Sequence, residues 1–217
     1  MVIVGLTGSI AMGKTTAAAM LRRLGVPVHD SDAAVHRLLA PGGAAVPAVR
    51  AAFPDTVDKN GAIDRGSLGA CVFADPGAMT QLESIVHPMV TASSQAFLRR
   101  AGGRRERVAV LDIPLLFETG AEHRCDLVAV VSAPAFVQRQ RVLRRGMTPE
   151  RLAGILARQL PDAEKRRRAD IVVPTGAGRG VTWRALAGLV EAAAARSGGA
   201  WPPRPYRWQY QGRRRHA

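Results

Sequence analysis

An α/β fold wound on a parallel sheet is what this 217-residue sequence predicts, and three observations carry the prediction. Short apolar runs of strand character alternate with helical stretches from the first residue onward, the pattern of successive βαβ units. The first strand, helix and strand fit within about 30 residues, the length of one such unit, whose right-handed crossover makes its strands parallel. Between that strand and that helix lies Gly8-Ser9-Ile10-Ala11-Met12-Gly13-Lys14-Thr15, which fits G-x-x-x-x-G-K-[ST] in the setting the motif requires.

Met1–Leu6 is a β-branched apolar run ending in Gly and Thr, as expected of a strand buried on both faces. Thr15–Leu24 is rich in Ala, Leu, Met and Arg, and Gly25 stands where a helix C-cap belongs. Val26–Asp30 then reads as a second short strand. From Ala33 to Arg105, helical segments are broken by Pro41-Gly42-Gly43, Phe53-Pro54-Asp55 and Asp75-Pro76-Gly77, the mark of a helical insertion. Strand signals return at Arg107–Asp112, Asp126–Val131 and Asp170–Val173. Residues 135–168 give two arginine-rich helices, Ala135–Arg145 and one opened by Thr148-Pro149-Glu150, with Thr as N-cap and Pro at the first helical position. Past Ser197-Gly198-Gly199 the chain is Pro- and Arg-rich and reads as a disordered basic tail over 198–217.

Composition narrows the function classes. With 47% hydrophobic and 22% charged residues, the chain is ordinary globular material and neither collagen, coiled coil nor wholesale disorder. The net charge of +14 fits a polyphosphate ligand, a polyanionic partner or a GC-rich genome that favours arginine over lysine, since charge speaks to association and not to fold. Only Lys14, Lys59 and Lys165 are lysines. Cys71 and Cys125 lie far apart with no C-x-x-C and no clustered His, so buried reduced thiols are expected, and neither a zinc site nor a disulfide framework. No apolar run approaches 18 residues and no basic residue precedes Lys14, which points to a cytoplasmic protein without a membrane span.

The glycine-rich segment carries the strongest chemistry. Its glycines let backbone N–H groups turn inward around phosphate oxygens, and the following helix presents its positive dipole end to the same anion. Gly8, Ala11, Met12, Gly13, Lys14, Thr15 and Thr16 are the expected ATP-binding set, with Lys14 bridging the β and γ phosphates and the Thr15 hydroxyl on Mg²⁺. The loop assigns the nucleotide and not the reaction. Asp58-Lys59-Asn60-Gly61 matches a D-x-x-G by letter, far from a strand end, and is read as chance. After the second strand, His29-Asp30-Ser31-Asp32 places two carboxylates where open parallel sheets hold ligands. Transfer of a phosphoryl group to a hydroxyl needs a carboxylate beside the acceptor, so Asp32 is the candidate base and Asp30 a supporting group that reaches Mg²⁺ through water. Either Asp could instead cap the helix that follows.

With these strings in order along the chain, the sequence resembles the dephospho-CoA kinase family. The resemblance runs through Gly5-Leu6-Thr7-Gly8-Ser9 with the phosphate loop, Gly25-Val26-Pro27-Val28 leading to Asp30-Ser31-Asp32, and Gly61-Ala62-Ile63-Asp64-Arg65. It continues through Leu82-Glu83-Ser84-Ile85-Val86-His87-Pro88, Asp112-Ile113-Pro114-Leu115-Leu116-Phe117-Glu118, Gln138 with Arg141 and Arg145, and Ala169-Asp170. It implies a P-loop NTPase three-layer fold with a five-stranded parallel sheet. The nucleotide-binding core would span 1–32, 106–134 and 166–197, the helical substrate domain 33–105, and the helical lid 135–165. It implies ATP-dependent phosphorylation of the ribose 3'-hydroxyl of dephospho-CoA, with Mg²⁺ accompanying ATP. Asp32 falls on the family's presumed catalytic aspartate and Arg141 on its lid arginine, with Arg145 beside ATP. Arg65, His87, Leu115, Leu116 and Glu118 fall on the substrate side, where the leucines could equally be core and His87 a helix-end donor.

Three positions depart from the family pattern: Ala11 where glycine is usual, His36 where arginine is common, and Pro174-Thr175-Gly176 where an Asn-Gly pair often stands. Ala11 is tolerated there if its φ is negative. Two rival readings are a P-loop kinase for another small hydroxyl acceptor, such as a nucleoside monophosphate or sugar acid, and a nucleic-acid-binding regulatory NTPase. The second rests only on the arginines and aromatic residues of the tail, and nucleic acid is not expected as a partner.

Overall fold

A computed structural model describes residues 1–58 and 62–202, with only the backbone given for residues 149–151. The Asp58–Gly61 string, the start of Gly61–Arg65 and the tail from residue 203 fall wholly or partly outside the described residues. Five strands, β1 (Val2–Thr7), β2 (Val28–Asp30), β3 (Val108–Asp112), β4 (Leu127–Ser132) and β5 (Ile171–Pro174), form one sheet in the order β2-β3-β1-β4-β5. Every pairing is parallel. All five lie within a residue or two of the apolar runs that announced them, because a strand covered on both faces carries a contiguous apolar signal.

Alternation along those strands divides the core in two. Val2, Val4 and Leu6 of β1, with Val108, Val110, Leu127, Ala129 and Val131, pack beneath α1 (Lys14–Arg23) and α9 (Arg179–Ala194). The intervening residues Ile3, Ala109 and Leu111 face the other way, onto Leu98 and Ala101 of α5 (Pro76–Gly103). Val128 and Val130 meet Leu116, Phe117 and Ala121 of the turn after β3. The predicted insertion is helical: α2 (Ser31–Leu38), α3 (Val46–Ala52), α4 (Arg65–Ala74) and α5 enclose a separate apolar cluster that includes Val49, Phe53, Leu68 and Val72.

Several expectations are corrected. Residues 135–168 form three helices and not two: α6 (Ala135–Leu143), α7 (Pro149–Leu156) and the short α8 (Asp162–Arg168). Pro161 caps α8 in an extended conformation, and a proline disfavours the helical region for the residue before it, so the arginine-rich stretch cannot run on as one helix. α5 continues through Pro88, so His87 does not end a helix. The first part of the expected disordered tail is ordered. Gly199 and Ala200 donate their backbone N–H groups to Asp126 Oδ1 at 2.6 and 2.7 Å, and Trp201 packs against the α5 side of the core. Of the two cysteines, Cys71 is exposed rather than buried; Cys125 is largely buried, which pushes its thiol pKa up to about 12.

Candidate active site

The glycine-rich loop leaves the C-terminal end of β1 at the middle of the sheet, and its geometry follows from its sequence. A Cβ at Gly8 would lie 2.4 Å from Val131 Cγ2 and 2.7 Å from the Val131 carbonyl oxygen, so only glycine lets the loop pass this close to β4. Gly13 has φ 93° and serves as N-cap of α1, which points the first amides of the helix into the loop. Ala11 has φ 59°. The condition under which alanine would sit there without strain is therefore not met, and the left-handed conformation costs it about 1–2 kcal/mol.

Lys14 opens α1 and reaches across the sheet to Asp112, its Nζ 2.8 Å from Oδ1. Asp112 ends β3 and is 2% exposed. Burial pushes its pKa up and the negative charges of Asp30 and Asp32 push it further, while Lys14 pulls it down. The register supplies the reason: Asp30, the last residue of β2, pairs with Asp112. Three carboxylates thus converge at the ends of adjacent parallel strands, beside the phosphate loop. The sequence reading assigns Asp112 no role, although an apolar strand that ends on a lone carboxylate is a signal for one.

Asp30 is the N-cap of α2, with Oδ1 accepting from the Ala33 amide at 2.9 Å, and it lies 4.0 Å from Arg22. Asp32, in the first turn of the same helix, is exposed and lines a cavity of about 560 Å³ with His87, Pro114, Leu115 and Arg124. Behind this cavity His29 is buried against the Phe97 ring, with Nε2 3.1 Å from Ser93 Oγ. Burial first, then Arg37 and Arg124, lower its pKa to about 4, so it is neutral near pH 7.

On the other side of the loop a second cavity, of about 460 Å³, is lined by Gly13, Thr16, Arg141, Arg145, Thr175 and Gly176 among others. Thr175 and Gly176 of the Pro174-Thr175-Gly176 string therefore stand beside the loop at Gly13. Arg141 donates to the Ala11 carbonyl at 3.2 Å and to the Thr175 carbonyl at 2.5 Å. Thr175 Oγ1 donates in turn to the Met12 carbonyl at 2.6 Å. Two glutamines bracket the loop. Gln138 Nε2 donates to the Ile10 carbonyl at 2.8 Å, and the Ile10 amide donates to Gln159 Oε1 at 3.1 Å.

Other predicted substrate-side residues are placed differently. Leu116 is fully buried in the core below the turn and has no surface to offer a substrate, whereas Leu115, 38% exposed, forms cavity wall. Glu118 is turned away from the cavity. Its Oε1 lies 2.8 Å from Lys165 Nζ, which is completely buried, and accepts from the Leu160 amide at 2.8 Å. Arg65 starts α4, outside the cavity lining, its two terminal nitrogens 2.9 and 2.8 Å from the ring nitrogens of His36.

A family model described as dephospho-CoA kinase matches residues 2–178. This chain belongs to the dephospho-CoA kinase family. A dephospho-CoA kinase from Paramagnetospirillum magneticum is 65% identical over 167 residues, 76% of this chain and 78% of the relative. One from Rhodospirillum rubrum is 60% identical over 185 residues, covering 85% and 88%. Among solved structures, the crystal structure of TT1252 from Thermus thermophilus superposes with a TM-score of 0.80 at 35% identity, covering 88% of this chain and 96% of that one. Dephospho-CoA kinase from Campylobacter jejuni has a TM-score of 0.67 at 23% identity, a likeness of fold. Among the described residues no helix is long and apolar enough to cross a membrane.

Proposed function

We propose that this member of the dephospho-CoA kinase family transfers the terminal phosphoryl group of ATP to the ribose 3'-hydroxyl of dephospho-CoA, giving coenzyme A and ADP in the last step of coenzyme A synthesis. The observation that carries the residue assignment is the convergence of Lys14, Asp32 and Asp112 between two cavities, one on each side of the phosphate loop. ATP enters from the side of Thr16, Arg145 and Thr175, with its phosphates on the amides of the loop. The acceptor occupies the cavity of Asp32, His87 and Leu115.

In this assignment Asp32 orients the acceptor hydroxyl and takes its proton as the phosphoryl group arrives, a role suited to an exposed carboxylate in a cavity wall. Lys14, paired with Asp112, moves its ammonium onto the β and γ phosphates and meets the charge that develops there. Arg141, held by Ala11 and Thr175 in the wall of the ATP-side cavity, is the catalytic lid arginine whose guanidinium meets the oxygens of the transferring phosphoryl group. Thr15 and Asp112 would hold Mg²⁺ together with substrate phosphates, since the ion takes oxygen ligands and only one or two carboxylates. Asp30, occupied as a helix cap, is the weaker candidate. Mg²⁺ would neutralise phosphate charge. The protein acts in the cytoplasm. The helices of residues 33–105 form the acceptor domain and those of 135–165 the lid.

The test is an assay of ATP with dephospho-CoA against nucleoside monophosphates and gluconate, for the wild type and Asp32→Asn. Conversion of dephospho-CoA alone, with kcat lowered about 10²- to 10⁴-fold in Asp32→Asn, is expected. A variant with near-normal kcat would remove Asp32 from the role of base, and preference for another acceptor would overturn the substrate assignment.

A further inference from the structure

Arg124 stands in the acceptor cavity with no role in the chemistry above. It closes the single helical turn Ala121–Arg124, and among the described residues that line the cavity with Asp32, His87 and Leu115 it is the one permanently charged cation. None of the ion pairs among the described residues includes it. Its Nη2 donates to Ser94 Oγ at 2.5 Å, and Ser94, 3% exposed, donates its own hydroxyl proton to the Thr91 carbonyl at 2.8 Å. Ser94 thus fixes the fork without neutralising it.

A half-buried guanidinium without a carboxylate partner is costly, and burial alone lowers its pKa. Its five donors in a rigid plane match phosphate oxygens. Dephospho-CoA carries its negative charge on one group, the 5'-diphosphate, on the other side of the ribose from the hydroxyl that reacts. We infer that Arg124 binds the 5'-diphosphate of the acceptor, so that Asp32 and Arg124 hold the two ends of one nucleotide in the same cavity. The inference rests on the proposed function and adds a specificity residue to it, one that distinguishes a nucleoside diphosphate ester from a bare nucleoside.

The test compares dephospho-CoA with adenosine, which offers the same ribose hydroxyl and lacks the diphosphate, in the full-length wild type, Arg124→Gln and Arg124→Lys. Loss of one charge-assisted contact lowers kcat/KM for dephospho-CoA about tenfold to a hundredfold, through KM, with KM for ATP unchanged. The preference for dephospho-CoA over adenosine falls by the same factor, and Arg124→Lys, which keeps the charge without the fork, falls between. An equal loss on both acceptors, or no loss on dephospho-CoA, in whichever of the two variants folds, would overturn the inference. A wild type that prefers adenosine or phosphorylates neither would instead overturn the proposed function, and Arg124's role with it.

Discussion

At the scale of single residues, the loop contains one misfit and one lysine paired with a buried carboxylate of β3, and each carries a prediction. Ala11 adopts φ 59°, so Ala11→Gly removes about 1–2 kcal/mol of strain. Part of this is returned through the greater freedom of glycine in the unfolded chain. The expected net gain is about 1 kcal/mol, a rise in Tm of roughly 2–4 °C for a chain of this size, read by calorimetry; a fall in Tm would show that the alanine methyl is needed where it sits. The Lys14–Asp112 pair is tested by pH. A carboxyl whose folded pKa lies above its unfolded value contributes stability in acid and loses that contribution as pH rises through the folded value. Asp112 is such a group, and Lys14 limits the loss. Lys14→Met therefore destabilises more at pH 8 than at pH 5, by up to about 3–5 kcal/mol where Asp112 is left as an unpaired buried charge. Urea unfolding at the two pH values measures the difference, and an equal loss at both would mean Asp112 is not the group responsible. The phosphate loop was legible in sequence because its spacing is itself the geometry. Leu116 and Glu118 were not, since a leucine in a turn reads the same whether it faces core or cavity, and the partner that claims Glu118 lies 47 positions away at Lys165.

Elements were easier to read than their partners. The strands announced themselves by apolar runs and α1 by composition and the Gly25 stop, but sheet order and the faces of α6 and α7 depend on contacts between distant parts of the chain. The two glutamines illustrate this. Gln138 lies on α6 and Gln159 beyond the end of α7, and both hydrogen-bond the backbone of Ile10, one on each polar group. No local pattern marks a side chain bound for a loop more than 120 residues earlier. The two hydrogen bonds tie the phosphate loop to residues 138 and 159. Gln159→Ala leaves the Ile10 amide without its partner, at about 1 kcal/mol, and kcat/KM for ATP is expected to fall roughly fivefold while KM for dephospho-CoA changes little. Steady-state kinetics with each substrate varied in turn decides this; an effect on dephospho-CoA alone would place the glutamine in the acceptor half.

Over the whole molecule, the two ends of the sheet have separate work. The C-terminal ends of the strands carry Lys14, Asp32, Asp112 and both cavities, as open parallel sheets do. At the opposite end one carboxylate gathers two remote parts of the chain. Asp126, just before β4, accepts from the Ile3 amide at 2.7 Å through Oδ2 and from the Gly199 and Ala200 amides through Oδ1. That junction holds the segment after α9 against the core, with Trp201 packed among Ile3, Leu98 and Leu111. Composition alone assigned this segment to a disordered tail, because Gly, Pro and Arg dominate it and the acceptor that orders it is some 70 residues away. Since the junction lies remote from the phosphate loop, stability and catalysis separate there. Asp126→Ala strands three backbone donors that lose a charged acceptor, a loss of about 2–4 kcal/mol, and Tm falls by roughly 2–4 °C per kcal/mol. Below the lowered transition, kcat and both KM values stay within about twofold of wild type, because nothing at the loop touches Asp126. Thermal unfolding and assays at 25 °C on the same sample test both halves together. A variant of unchanged Tm would show that water replaces the carboxylate without loss, and one whose kcat collapses at full folded population would show that the two ends of the sheet are coupled after all.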